Sequence, residues 1–150
     1  MSYRFQDCVN RRGVVKRPAS RAMVEKELVE AKRDLDSAKN SFCDSDFKWT
    51  IIKAYYSMFH TCKSLLFSAG YVEKSHECLI AAIEELFVEK GVLPAAVVSD
   101  LRRAKTAREA ADYGLTYGEA SANGTVHDAG EIFEIVSGYL AGEGFETPSP

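Results

Sequence analysis

No stretch of the 150 residues approaches the roughly 20 consecutive apolar positions that a membrane-spanning helix requires. The first residues, MSYRFQDCVNRRGVVKR, lack the apolar core of a secretory leader, so the expected location is the cytoplasm and no membrane association is expected. Only four cysteines occur, Cys8, Cys43, Cys62 and Cys78. They form no CxxC pair and no Cys/His pair at zinc spacing, which excludes a zinc module. In a reducing compartment they are expected as isolated core or surface residues rather than a disulfide framework. No GxxxxGK[ST] phosphate loop, GxGxxG turn, HExxH helix or GxSxG elbow is present. Period-two alternation bounded by hairpin turns is absent as well, and no internal repeat is visible, so neither a sheet protein nor a solenoid is expected.

What is present is ordinary globular composition, 46% hydrophobic and 27% charged, in a chain of one-domain size. The net charge of −3 is unevenly spread. Residues 1–21 carry Arg4, Arg11, Arg12, Lys16, Arg17 and Arg21 against Asp7 alone, a net +5 that leaves −8 for the rest. Such an arm can contact phosphates. The plainer expectation is a solvated lead-in over 1–19, followed by a bundle over 20–140 and a frayed tail over 141–150.

The apolar spacing predicts five helices. The first starts near Pro18–Ser20 and carries Leu28, Ala31, Leu35, Ala38 and Phe42 at steps of three and four. Asp44, Ser45 and Asp46 offer capping oxygens to a second helix over about 46–69, whose apolar face (Ile51, Tyr55, Met58, Cys62 and Leu65, widened by Ile52, Phe59 and Leu66) suits burial on more than one side. Gly70 is placed to stop it. Ser75 caps a third helix ending at Gly91, Pro94 opens a fourth ending near Gly114, and a fifth runs from about Glu119 to Leu140. Gly124, Gly130 and Gly138 in the fifth lower helix propensity by about 1 kcal/mol each relative to Ala, or else permit close helix approach. The expectation is an all-α, up-and-down bundle of four or five helices.

Few residues offer chemistry. A di-metal bundle site needs two Glu-x-x-His motifs, and the chain has one such spacing, Glu73 to His76, at a turn; no metal or cofactor is expected. His60 is expected as a packed or interface side chain, His76 as either a capping-region residue or one projecting into a groove, and His127 as a solvated residue of the last helix. The densest polar cluster, Arg102, Arg103, Lys105, Arg108, Asp112 and Tyr113, lies toward the end of the fourth helix. Arg108 and Asp112 stand at i, i+4 and can form a surface ion pair. The same geometry beside a Tyr hydroxyl can bind a phosphodiester and stabilise its developing charge.

The run Ala54-Tyr55-Tyr56-Ser57-Met58-Phe59-His60 closely resembles the AYYAMFH signature of HEPN domains (higher eukaryotes and prokaryotes nucleotide-binding). Lys74-Ser75-His76 and Arg108…Asp112-Tyr113-Gly114 resemble that family's later landmarks, in the same order, so the likeness runs from about residue 20 to residue 140. The resemblance implies a HEPN-like helical bundle that forms a homodimer. It implies, further, a partner of a minimal nucleotidyltransferase in a toxin–antitoxin-like module, binding nucleotide or RNA. Arg108, His76, Tyr56 and His60 become the candidate ligand-binding residues. A second branch of the family is metal-independent ribonucleases, in which an Arg is followed four to six residues later by His. Arg108 takes the Arg position, but no His follows at that spacing; an active enzyme would use Arg108, Asp112, Tyr113 and His76 instead. A third reading is a bundle that holds a small molecule or nucleotide near Arg108 and His76.

Overall fold

The computed structural model describes residues 1–149. Ser20 Oγ accepts the Met23 amide and starts helix α2 (Arg21–Cys43), which buries Val24, Leu28, Ala31, Leu35 and Ala38 along one stripe. Asp46 caps α3 (Phe47–Ser68) through the Trp49 amide, and Gly70, at φ +83°, ends the connection after it. Ser75 caps α4 (His76–Ile83), which continues as one wider π turn over Glu84–Val88, closed by the Glu89 amide donating to the Glu84 carbonyl at 2.9 Å. Then come α5 (Ala96–Asp112) and α6 (Glu119–Gly142). These are the five expected segments, and the fold is the expected all-α bundle.

Helix α3 is the centre, packed against α2, α4, α5 and α6. Its buried Thr50, Ser57, Thr61 and Ser64 keep the contact with its neighbours close, since each is small. Ser57 Oγ donates to the Ala31 carbonyl of α2 at 2.8 Å, whereas Thr61 and Ser64 bond carbonyls of their own helix. No buried hydroxyl among these four lacks an acceptor, so α3 can be enclosed without an unpaired polar group. Among the described residues no helix is long and apolar enough to cross a membrane.

The first residues depart from the expected solvated lead-in. They form a further helix, α1 (Tyr3–Asn10), capped by Ser2, and a strand, β1 (Val14–Lys16). β1 pairs antiparallel with β2 (Tyr71–Glu73), Val14 facing Glu73 and Lys16 facing Tyr71. Phe5, Cys8 and Val14 join the main core, which gives the segment enough buried apolar surface to stay ordered. Contrary to the expectation of isolated cysteines, Cys8 and Cys78 are joined by a disulfide that ties α1 to α4, with Cα atoms 5.7 Å apart. Gly13 packs so closely there that a Cβ would lie 2.5 Å from Cys78 Sγ. The tail is also partly held: Arg21 donates to the Gly144 carbonyl at 2.6 Å, and Phe145 packs on the core. Gly124, Gly130 and Gly138 face open space, so they serve no close helix approach.

Candidate functional site

Three elements place side chains around Arg108, the last long cation of α5. Tyr55 and Tyr56, neighbours on α3, and Tyr113, just beyond α5, set their ring centres 5.6, 5.8 and 5.9 Å from its guanidinium carbon. A cation over aromatic faces at this range is attracted by the ring quadrupoles. The side chain is only 13% exposed. Its Nε is buried and has no hydrogen-bond partner among the described residues. The expected i, i+4 partner is present but loose: Asp112 Oδ2 lies 3.8 Å from Nε, an ionic attraction too long for a hydrogen bond.

His76 reaches the same place from the first residue of α4. Its Nδ1 lies 2.6 Å from the Tyr55 hydroxyl, and its ring is stacked on Phe59 at 4.4 Å between centres. Burial pushes the imidazole below its ordinary pKa, and the positive charges of Arg108 and Lys105 push it further. The same burial raises the Tyr55 phenol well above its usual range, against the pull of Arg108. Near neutral pH the pair is therefore an uncharged imidazole against an uncharged phenol, with a cation beside both.

His60 does not join this group through its polar contacts. It meets the Phe59 ring edge-to-face, centres 5.6 Å apart, and turns to α2, Nδ1 lying 2.5 Å from Glu27 Oε2 and Nε2 3.8 Å from Asp34. The Glu27 hydrogen bond raises its pKa in spite of burial. His127 is exposed on α6, 2.9 Å from Glu131, the solvated placement expected of it. His127, Asp128 and Glu131 bring ligand-type atoms within 4.8 Å of one another, and Asp128 is engaged by Arg103 at 3.0 Å.

Of the residues singled out in the sequence, the structure thus gathers Arg108, Asp112, Tyr113, Tyr56 and His76, and leaves His60 facing another helix. It adds three that the sequence did not single out as site residues. Tyr55, which contacts both Arg108 and His76, was concealed within the apolar stripe of α3. Phe59 supplies the stacking face for His76, and Glu77 pairs with Lys105 at 3.3 Å and Arg102 at 3.5 Å.

The sequence profile of the HEPN domain family matches residues 24–139. The chain belongs to this family. The HEPN span begins inside α2 and ends inside α6, so it contains the whole Arg108–His76 group, while α1, β1 and Cys8 precede it. The candidate toxin MJ0142 of Methanocaldococcus jannaschii is 25% identical over 93 residues, which is 62% of this chain and 63% of that protein. The chain thus spans less than two thirds of that relative's length. A UPF0332 protein of Archaeoglobus fulgidus is 35% identical over 98 residues, 65% of this chain and 77% of that protein. Among solved structures, TT1696 from Thermus thermophilus superposes with a TM-score of 0.66 at 18% identity, covering 77% of this chain and 96% of the other. That likeness is one of fold.

Proposed function

We propose that this HEPN chain is one half of a toxin–antitoxin-like module, the partner of a minimal nucleotidyltransferase, and that its Arg108–His76 site holds a phosphate of RNA or nucleotide. The observation that carries the site is the state of Arg108. A nearly buried guanidinium whose Nε has neither a partner nor a carboxylate in hydrogen-bond reach among the described residues is a cation left for an anion from outside. The toxin description of the Methanocaldococcus jannaschii relative supports the module. A homodimer belongs to the same reading. The partnership is tested by co-expression with a minimal nucleotidyltransferase from the same organism: a complex that survives gel filtration is expected, and two separate peaks would remove the partnership.

A second reading, a metal-independent ribonuclease, is favoured by one specific observation. The HEPN ribonuclease motif His is missing, yet His76 stands on the same Tyr55 that flanks Arg108. With Nδ1–H donating to the Tyr55 oxygen, His76 would keep a free Nε2 lone pair, and a neutral imidazole of this kind can take a proton from an attacking hydroxyl. Arg108 would then stabilise the charge that develops on the phosphorus oxygens while the ribose 2′-oxygen bonds to phosphorus and the 5′-oxygen of the next nucleotide leaves, taking up a proton from the imidazolium or from water. The assay is cleavage of mixed RNA in the presence of a chelator, beside Arg108→Ala and His76→Ala. Cleavage lost in both variants establishes the enzyme, and intact RNA with the unaltered protein removes it.

A further inference from the structure

Arg108 is not the only buried donor on α5 without a partner. Arg102 Nη2, six residues earlier, is also buried and lacks a hydrogen-bond acceptor among the described residues. Six residues advance about 9 Å along a helix. Lys105, which also pairs with Glu109 one turn on at 2.7 Å, stands between the two arginines, so α5 presents a row of three cations. The start of α4 lies along that row: Glu77 faces Arg102 and Lys105 at 3.5 and 3.3 Å, and His76 senses the charges of Lys105 and Arg108. The Glu77 carboxylate is 56% exposed, so water and solutes reach it readily. It sits across two cations as a planar pair of oxygens, which is the footprint of two oxygens of a phosphate group.

We infer that Arg102 and Lys105 form a second phosphate subsite, held by the Glu77 carboxylate until ligand displaces it, so that the site takes a single-stranded RNA rather than a mononucleotide. This rests on Arg108 as the first phosphate-binding residue. The spacing selects the ligand. Neighbouring phosphates of a nucleoside polyphosphate share one bridging oxygen, a span much shorter than the roughly 9 Å of helix axis between the two arginines. Phosphates on separate nucleotides of one strand are separated by a whole sugar and can reach both. Glu77 then has a defined effect: it competes with the strand for Arg102 and Lys105, which lowers affinity and discriminates against ligands that cannot reach past Arg108.

The test is fluorescence anisotropy of a labelled oligouridylate at several salt concentrations, with uridine 5′-monophosphate as competitor. Each phosphate contact on a single strand contributes about −0.7 to the slope of log affinity against log salt. The unaltered protein should prefer the oligomer, and Arg102→Gln should weaken it several-fold and make the slope shallower by about 0.7. Glu77→Gln, a change at an exposed position in the first turn of α4, should tighten oligomer binding several-fold and by more than it tightens monophosphate binding. An unchanged affinity and slope in both variants, with binding still lost in Arg108→Ala, would overturn the second subsite and leave the Arg108 reading standing. Oligomer and monophosphate competing equally would do the same. Oligomer binding that is absent, or indifferent to Arg108→Ala, would overturn both.

Discussion

Reduction of the Cys8–Cys78 bridge is the perturbation whose size follows most directly from the structure. The cross-link closes a loop of 70 residues. In the chain-entropy treatment a loop of that length removes about 15 cal/mol/K from the unfolded ensemble, or about 4.4 kcal/mol at 25 °C. For a domain of this size each kcal/mol moves Tm by about 2–4 °C, so full reduction should lower Tm by about 9–18 °C. The native side of the balance should change little. β1 remains paired with β2, and Phe5 and Val14 keep their burial, so the reduced protein stays folded with a loosened α1. The assay is thermal unfolding by circular dichroism with and without a phosphine reductant, beside a thiol count under denaturing conditions. Two free thiols, Cys43 and Cys62, are expected before reduction and four after. Four thiols in unreduced protein handled under air would refute the bridge. A Tm that stays put while the count rises from two to four would refute the entropic argument.

Replacing Arg108 by Ala should raise the pKa of His76, because one of the charges that depress it is gone and the ring is less enclosed; imidazole proton shifts followed against pH report it, and an unmoved titration would mean the two do not face each other. His60 has the opposite sign. Its folded pKa is raised by Glu27, so its contribution to stability is whole below the unfolded value and is lost as pH rises through the folded one. Denaturant midpoints of the native protein should fall over that window, and His60→Gln should flatten the fall; equal slopes would count against the Glu27 bond. Gly13→Ala forces a Cβ onto Cys78 Sγ and should cost about 1–3 kcal/mol in urea unfolding, with no loss taken as evidence that β1 can move away.

The helices that were legible in the sequence are those whose ends and faces are both written locally. Ser75 caps as expected, Asp46 is the one of the three offered residues that caps α3, Ser20 starts α2 within the expected Pro18–Ser20 segment, and the stripe of α2 is buried at Leu28, Ala31, Leu35 and Ala38. α1 escaped because its eight residues bury only Phe5 and Cys8, too few for a period to show. β1 and β2 are three residues each, shorter than any alternation can declare. The disulfide joins residues 70 apart and depends on where the chain returns, which no spacing encodes. In the site, Arg108 and His76 were marked by residue type and family pattern. Tyr55 was not, because a side chain 2% exposed on an apolar stripe reads as core, and only packing shows that its hydroxyl meets His76. His60 was grouped with them through the family signature that ends on it, whereas the helix turn sends its nitrogens to α2.

The ion pairs of α5 separate what is structural from what is left for a ligand. Arg103 lies 2.5 Å from Asp100 and 3.0 Å from Asp128 and is 63% exposed. Exposed pairs of this kind gain little, because water screens them and two long side chains must be held still. Arg108 is 13% exposed and stands to gain most from a close carboxylate, yet Asp112 remains at 3.8 Å. Stability alone would order these the other way, with the tightest pairing at the most enclosed cation. Three tyrosine rings steady the charge without consuming its N–H donors, since a ring face attracts a cation and accepts no strong hydrogen bond from it. The result is a guanidinium held in place and still able to donate, the condition an incoming phosphate requires.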